Sequence, residues 1–227
     1  MLRNLILIAA SAASLAACAT RTPAPYTLPS PQHPAYTQPR APQPNLYSTA
    51  PRAPFHAELI SCGYRGSNTG EFGARGESLS YTPYIQTSAG PLLRNPTEQS
   101  CLSSGFGWRN AQGGSGRAHN GLDLANASGG YVFAAGDGRV IANDWRGGYG
   151  LVVELDHGMG VRTLYAHLNE SDANLYPGAF VQAGQPIARM GDTGNATGVH
   201  LHYEVSVDGL LVDPLHYGME LPQTPIY

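Results

Sequence analysis

The feature that most constrains this chain is a clean alternation of apolar and polar residues near its C-terminus. From Val199 to Asp208, valine, leucine and tyrosine alternate with histidine, glutamate, serine and aspartate. A period of two is typical of a half-buried strand, in which side chains two residues apart lie on the same face. The pattern predicts a strand over Val199–Val207 that places His200 and His202 in one cleft, while their apolar neighbours pack in the core.

The rest of the second half also indicates strands. The chain has 28 glycines and 18 prolines in 227 residues, more than the usual combined share of about 12%. Short alternating apolar runs separate these turn-forming residues, and no segment shows sustained helical periodicity, so we expect an all-β domain. The other predicted strands are Tyr131–Ala134, Arg139–Ala142, Leu151–Leu155, Val161–His167, Ala179–Gln182 and Ile187–Met190.

Four histidines and one aspartate have the composition of an open zinc site. They are His119 and Asp123 in one short segment, His167 after Tyr165-Ala166, and the pair His200 and His202. Zinc binds histidine nitrogen and carboxylate oxygen, and a catalytic zinc usually has three protein ligands. Hydrolysis also needs groups that move protons and stabilise an oxyanion. Each segment alone is more often a solvent-facing or structural one, but the three together favour the zinc site.

These segments stand among further short motifs across residues 101–217. As an ordered set the motifs resemble the LytM/lysostaphin family of zinc metalloendopeptidases, which cleave peptide bonds in bacterial peptidoglycan. The resemblance covers about half of the chain and implies antiparallel sheets in a lysostaphin-like (duplicated hybrid motif) peptidase domain. The motifs are Gly105-Phe106-Gly107-Trp108-Arg109, His119-x-Gly121-x-Asp123, Ala134-Ala135-x-x-Gly138-x-Val140, Tyr149-Gly150, Asp156-His157-Gly158, Tyr165-Ala166-His167-Leu168, Val181-x-x-Gly184-Gln185-x-Ile187 and Gly191-x-Thr193-Gly194-x-x-x-Gly198-x-His200-Leu201-His202.

The resemblance implies a role for each of five residues. His119, Asp123 and His202 would bind Zn²⁺, and His167 and His200 would be the catalytic pair without a bond to the metal. One histidine of the pair would accept a proton from water, and the other would stabilise the oxyanion or protonate the leaving amine. The sequence does not assign these two roles.

Two residues near these motifs have simpler interpretations. Glu204 follows the strand alternation onto the face of His200 and His202. It is either a hydrogen-bond partner of a ligand or a surface carboxylate. His157 matches a family motif without an assigned ligand role, so we expect it to be structural.

The N-terminus has the features of a bacterial export signal. Residues 1–17 combine a short basic start with an apolar run, which is shorter than the roughly 20 residues of a transmembrane helix. Leu15-Ala16-Ala17-Cys18 resembles a lipobox, so we expect cleavage before Cys18 and a lipid on that residue. By resemblance to Gram-negative lipoproteins, Ala19 indicates an outer-membrane anchor facing the periplasm. An ordinary secretory signal, with Cys18 incidental, is the alternative.

A disordered, proline-rich tether is predicted over residues 18–55. Its composition cannot bury a core and favours polyproline II, at about 3.1 Å per residue, so the segment could extend on the order of 100 Å. Residues 56–100 carry no motif and form an accessory segment of unknown role. The peptidase domain is expected at 101–217, followed by a C-terminal tail at 218–227.

Two cysteines remain once Cys18 is assigned to the lipid. In an oxidising exported compartment, Cys62 and Cys101 favour a disulfide. The bond would attach the accessory segment to the start of the peptidase domain. A buried free thiol at Cys101 is the alternative.

The function that the sequence favours is hydrolysis of peptide cross-links in peptidoglycan by a zinc endopeptidase, during wall remodelling or division. The alternative is a non-catalytic module that binds the wall and activates other peptidoglycan hydrolases. Such family members have typically lost metal ligands, whereas every ligand is present here. A formal charge of −3 with 13% charged residues gives no basic patch, so nucleic acid is not an indicated partner. Partners in cell division or wall synthesis, the oligomeric state, and autoinhibition through Asn68 or Asn95 stay open.

Replacing Cys18 by serine tests the lipid anchor. We expect the wild-type protein to incorporate labelled palmitate and to sediment with membranes, and the Cys18→Ser variant to do neither, because serine cannot form the thioether. A Cys62→Ser variant is the matched control and should keep the label. Unchanged membrane association of the Cys18→Ser variant would contradict the prediction.

Overall fold

The computed structural model describes residues 58–62, 78–80, 83–109 and 116–218. The predicted signal, Cys18, the tether and Asn68 lie outside these residues. In the part of the chain that is described, no helix has the length and apolarity needed to cross a membrane. The regular structure there is almost entirely strand, with one short 3₁₀-helix at Gly147–Tyr149.

The described residues contain sixteen strands. In chain order they are β1 Glu58–Ser61, β2 Ser78–Ser80, β3 Tyr84–Thr87, β4 Gly90–Leu93, β5 Cys101–Ser104, β6 Gly107–Arg109, β7 Arg117–His119, β8 Leu122–Ala125, β9 Tyr131–Phe133, β10 Gly138–Trp145, β11 Leu151–Gly158, β12 Val161–Ser171, β13 Phe180–Val181, β14 Pro186–Met190, β15 His200–Val207 and β16 Leu210–Val212.

Twelve of these strands form one sheet, and the hairpins β3–β4 and β6–β7 stand apart from it. The main path of the sheet is β13-β10-β11-β12-β15-β8-β5-β1-β2, with β14 pairing to β12 and β9, and β16 pairing to β15. The expected all-β, antiparallel class is confirmed. One pair departs from it, because β1 runs parallel to β5.

All seven predicted strands are present, with different ends. The prediction that the strand starting at Val161 ends at His167 is wrong, since β12 continues to Ser171. Tyr165 pairs with Val153 of the neighbouring strand β11, and Leu168 pairs with Leu151. The segment of β12 between these two pairs is one residue longer than the segment of β11 opposite it. This extra residue makes a β-bulge, after which β12 also pairs with β14.

The core contains the apolar sides of the sheet together with part of the segment that carries no motif. In β15, Leu201, Tyr203 and Val205 have no exposed surface, as the alternation predicts. Ile85 and Leu92 from the β3–β4 hairpin belong to the same hydrophobic cluster. The described part of residues 56–100 therefore contributes to the core that supports the predicted peptidase domain.

Two polar side chains, the buried Arg94 and the half-buried His157, bind main-chain groups of this framework. The Arg94 guanidinium donates to the main-chain carbonyls of Pro214 and Leu215, and so joins β4 to the C-terminal turn. The His157 Nδ1–H donates to the Asp137 carbonyl at 2.7 Å, and its Nε2 lies 2.8 Å from Thr163 Oγ1. Burial lowers the pKa of His157, which agrees with a structural role for a neutral imidazole.

A disulfide joins Cys62 to Cys101 across the parallel pair of β1 and β5. The two cysteines are separated by 39 positions in the sequence. The bond fixes β1 beside β5, whose other neighbour is β8.

Reducing this disulfide should lower the free energy of unfolding by about 4 kcal/mol, because the unfolded chain regains the conformational entropy of a loop of this length. Urea denaturation of the oxidised and reduced protein measures the difference, with a Cys62→Ala/Cys101→Ala variant as the control that reduction should not affect. Alkylation of these cysteines without prior reduction would contradict the assignment.

Candidate metal centre

Three neighbouring strands and one hairpin bring the five predicted site residues together. β15 lies between β12 and β8, so that Ala166, His202 and Asp123 stand side by side in register. His167 follows Ala166 in β12, and His200 precedes His202 on the same face of β15. His119 is the last residue of β7, in the β6–β7 hairpin.

Three donor atoms from these residues converge on one point. His119 Nε2 lies 3.0 Å from Asp123 Oδ1 and 3.1 Å from His202 Nδ1. The distance between His202 Nδ1 and Asp123 Oδ1 is 2.9 Å. All three residues are buried, and they form a group that can hold a metal ion.

The second nitrogen of each imidazole and the second oxygen of the Asp123 carboxylate form hydrogen bonds with other groups. His119 Nδ1–H donates to the Gly105 carbonyl at 2.6 Å, and His202 Nε2–H donates to Glu204 Oε1 at 2.9 Å. Arg109 donates to Asp123 Oδ2 at 2.5 Å. These bonds fix the tautomer of each imidazole and leave His119 Nε2, Asp123 Oδ1 and His202 Nδ1 for an ion. Two imidazoles and one carboxylate are a donor set that fits zinc.

The charges around Asp123 and His202 are strongly coupled. Burial by itself would raise the pKa of Asp123, but its contacts with the imidazoles of His119 and His202 outweigh it and hold this pKa well below its usual range. Burial by itself would lower the pKa of His202, but hydrogen bonds to Asp123 and Glu204 raise it to about 9. Without a metal, a proton on His202 therefore compensates two buried carboxylates.

Glu204 is a buried carboxylate that binds the imidazole of His202. Its side chain is only 9% exposed, and Oε1 also accepts a hydrogen bond of 2.8 Å from the Tyr149 hydroxyl. The sequence left Glu204 as either a hydrogen-bond partner of a ligand or a surface carboxylate. The structure supports the first interpretation, with His202 as the ligand.

His167 and His200 lie beside the three donors. Their ring centroids are 4.7 Å apart, and the His167 ring is 5.9 Å from that of His202. His167 Nδ1–H donates to the Thr193 carbonyl at 2.8 Å, and His200 Nδ1–H donates to the Gly198 carbonyl at 2.7 Å. Nε2 is therefore the free nitrogen in both rings, and in His200 it lies 3.6 Å from Asp123 Oδ1.

The orientation of His167 depends on the bulge in β12. His167 has a φ of 60°, in the left-handed region, and a bulge of this kind redirects a side chain. Thr193 holds the bulge, because its hydroxyl donates to the Leu168 carbonyl and accepts from the Leu151 amide. Nothing in the local sequence of β12 marks the bulge.

Sequence reasoning assigned no role to Arg109, Tyr149 or Thr193. Each of them belongs to one of the short motifs, and this position is the sequence signal that could have identified them. Arg109 contacts Asp123, Tyr149 contacts Glu204 and Thr193 contacts His167. Asn95, considered above for autoinhibition, instead accepts hydrogen bonds from Thr97 in its own turn.

Comparison with known proteins finds a matching family model and a similar solved structure. A family model described as Peptidase family M23 matches residues 117–214. One solved structure, a zinc containing peptidase from Vibrio cholerae, aligns with a TM-score of 0.52 and 30% identity over 61% of this chain and 47% of that chain.

Three curated relatives show the range of activities among similar proteins. The DD-carboxypeptidase/endopeptidase Mpg of Neisseria meningitidis is 38% identical over 47% of this chain and 24% of its own length. The peptidoglycan DD-endopeptidase ShyC of Vibrio cholerae is 36% identical over 58% of this chain and 30% of its own. The murein hydrolase activator EnvC of Escherichia coli is 43% identical over 41% of this chain and 22% of its own. The chain therefore spans less than a third of each relative.

Metal binding at this centre should depend on pH. A metal ion must displace the proton from His202, whose pKa is raised to about 9, so that affinity should rise by up to tenfold per pH unit as pH increases towards 9. Calorimetric titration with Zn²⁺ at pH 7, in buffers with different ionisation enthalpies, should show release of about one proton. A binding constant that does not change between pH 7 and pH 9 would contradict the prediction.

Proposed function

We propose that the protein is a zinc-dependent endopeptidase that hydrolyses peptide cross-links of bacterial peptidoglycan, because residues 117–214 match the model of Peptidase family M23. The observation that carries the proposal is the convergence of one donor atom each from His119, Asp123 and His202, no more than 3.1 Å apart, with His167 and His200 beside them. An ion-binding group flanked by two further imidazoles has the parts that hydrolysis of an amide needs.

His119 Nε2, Asp123 Oδ1 and His202 Nδ1 are the proposed ligands. When bound there, zinc supplies a Lewis acid that polarises a carbonyl and lowers the pKa of water. Arg109, Glu204 and the Gly105 carbonyl orient these ligands through the bonds described above. Such partners typically contribute 10- to 100-fold to metal affinity.

His167 and His200 are the proposed proton-transfer residues. Because Nδ1–H of each ring donates to a main-chain carbonyl, Nε2 is the atom that can accept a proton or donate one. Burial lowers the pKa of His167, which keeps its ring neutral near pH 7 and able to act as a base. The second ring then serves to stabilise the oxyanion or to protonate the leaving amine.

We propose that the enzyme acts in the envelope of a Gram-negative bacterium. The relatives Mpg, ShyC and EnvC all come from Gram-negative species. The lipobox-like sequence at Cys18 and the proline-rich segment after it would anchor the domain at the outer membrane and extend it towards the wall. The substrate bond proposed for such a wall is D-Ala–diaminopimelate in the peptide cross-bridge.

The similarity to EnvC favours a second candidate function, activation of other peptidoglycan hydrolases without hydrolysis by this protein. We rank it below the endopeptidase, because binding to a partner does not require the two histidines that flank the metal ligands.

Digestion of cross-linked muropeptides by the mature protein distinguishes the two functions. We expect dimers to be converted to monomers in the presence of Zn²⁺, and a chelator to prevent this. Mass spectrometry of the products identifies the bond. Dimers that stay intact with zinc present would favour the activator.

Two variants compared in the same assay separate metal binding from proton transfer. His200→Ala should lower the rate by about 10²- to 10⁴-fold, the usual contribution of general acid–base catalysis, while zinc content stays near stoichiometric. His202→Ala should lose both zinc and activity. Loss of zinc from the His200→Ala variant would show that the roles are misassigned.

A further inference from the structure

Arginine is the basic residue that this chain uses throughout. All 13 residues counted as Lys or Arg are arginines, and seven of them lie in the described residues. Six of the seven have an identified partner. These are Arg94 with main-chain carbonyls, Arg109 with Asp123, Arg139 with the Gly178 carbonyl, Arg146 with Asp144 and Glu154, Arg162 with Asp156, and Arg189 with the Tyr131 ring.

Arg117 is the exception. Its side chain is exposed, and within the described residues it has no hydrogen bond, ion pair or ring contact. The sequence that precedes it, from Asn110 to Ser115, contains no acidic residue that could pair with it locally. Its guanidinium is therefore available to a ligand.

The position of Arg117 places this free charge next to the candidate metal centre. In the β6–β7 hairpin, Arg117 is directly opposite Arg109, and His119 is directly opposite Gly107. Side chains two apart in a strand share a face and are separated by about 6.6 Å along it. Arg117 thus stands on the face of the hairpin that carries His119, beside the arginine that binds Asp123.

The two opposed arginines differ in how their charges are compensated. Like charges directly across two strands destabilise the pair unless a counter-charge is present. Asp123 neutralises Arg109 at 2.5 Å, whereas Arg117 has no counter-charge among the described residues. An anion bound at Arg117 would supply the missing counter-charge. A carboxylate fits this role, because a planar guanidinium can bind it through two parallel hydrogen bonds.

We propose that Arg117 is a specificity residue that binds the substrate carboxylate attached to the same carbon as the leaving nitrogen. The proposal rests on the proposed endopeptidase function and names the substrate class. In a D-Ala–diaminopimelate cross-link, and in a terminal D-Ala–D-Ala, that carbon carries a carboxylate within about 4 Å of the scissile carbonyl carbon. In a cross-link made through a lysine side chain, the same carbon carries none. Arg117 would therefore favour the first class of bond.

The test compares two substrates that differ only in this carboxylate. Zn²⁺-loaded wild-type and Arg117→Ala proteins are assayed on D-Ala–diaminopimelate dimers in which the carboxylate is free or amidated. On the free carboxylate, Arg117→Ala should lower kcat/KM by about 10- to 100-fold, mainly through KM, the usual effect of losing a charge-assisted hydrogen bond. On the amidated dimer the two proteins should differ by less than about threefold.

Control variants separate this effect from general damage. Arg117→Lys keeps the charge without the two-pronged geometry and should give an intermediate KM. Arg139→Ala removes an exposed arginine on β10 and should behave as wild type. Zinc content should be unchanged in all three variants. An equal loss on both dimers, or no loss in the Arg117→Ala variant, would overturn the proposal.

A binding measurement keeps this test independent of catalysis. Calorimetry with the His200→Ala protein, with and without Arg117→Ala, should show about 10- to 100-fold weaker binding of the free-carboxylate dimer when Arg117 is absent. If the wild-type protein cleaves nothing but this difference is found, the endopeptidase proposal fails while the carboxylate site stands. If cleavage occurs and no difference is found, the carboxylate site fails alone.

Discussion

The carboxylate of Asp123 is the group on which the geometry of the centre depends. One oxygen faces His119 and His202, and the other accepts from Arg109. A buried carboxylate must be compensated by opposite charge and hydrogen bonds, and here the compensating groups come from the β6–β7 hairpin and from β15. A single side chain of β8 thereby links three parts of the chain. The contacts that compensate the charge of Asp123 also hold the proposed metal ligands in position.

Main-chain carbonyls provide the second constraint, because they determine which nitrogen of each histidine is free. Gly105, Thr193 and Gly198 each accept a hydrogen bond from an imidazole Nδ1–H. These carbonyls lie outside the regular strands, and the loop that carries Thr193 packs closely against the loop of Gly148 and Gly150. A Cβ added at Gly194 would lie 2.4 Å from the Gly150 nitrogen, so this loop contact needs glycine. Gly194 therefore allows the close loop contact beside Thr193, whose carbonyl orients His167.

The sequence contains enough information to predict local features of this site but not the contacts between distant segments. The alternation in β15 correctly places His200, His202 and Glu204 on one face, because strand periodicity is a local property. The pairing of His202 with Asp123 joins residues 79 positions apart, and no local pattern specifies that register. The bulge at His167 depends on Thr193, 26 positions away. Residues 83–93 carry no motif, because their contribution is to fill the core with side chains such as Ile85.

The backbone at His167 bears on the choice between an enzyme and an activator. Four described residues other than glycine have positive φ, and Gln99, Met159 and Asp208 are in turns or loops, whereas His167 is inside a strand. Such a conformation typically costs on the order of 1–3 kcal/mol and persists where the surroundings impose it. Here the Thr193 hydroxyl bridges Leu168 and Leu151 to maintain it. Binding to a partner does not by itself require an imidazole directed towards the metal ligands in this way. A chain that transfers protons beside a metal needs the imidazole there, and the strained residue therefore favours catalysis.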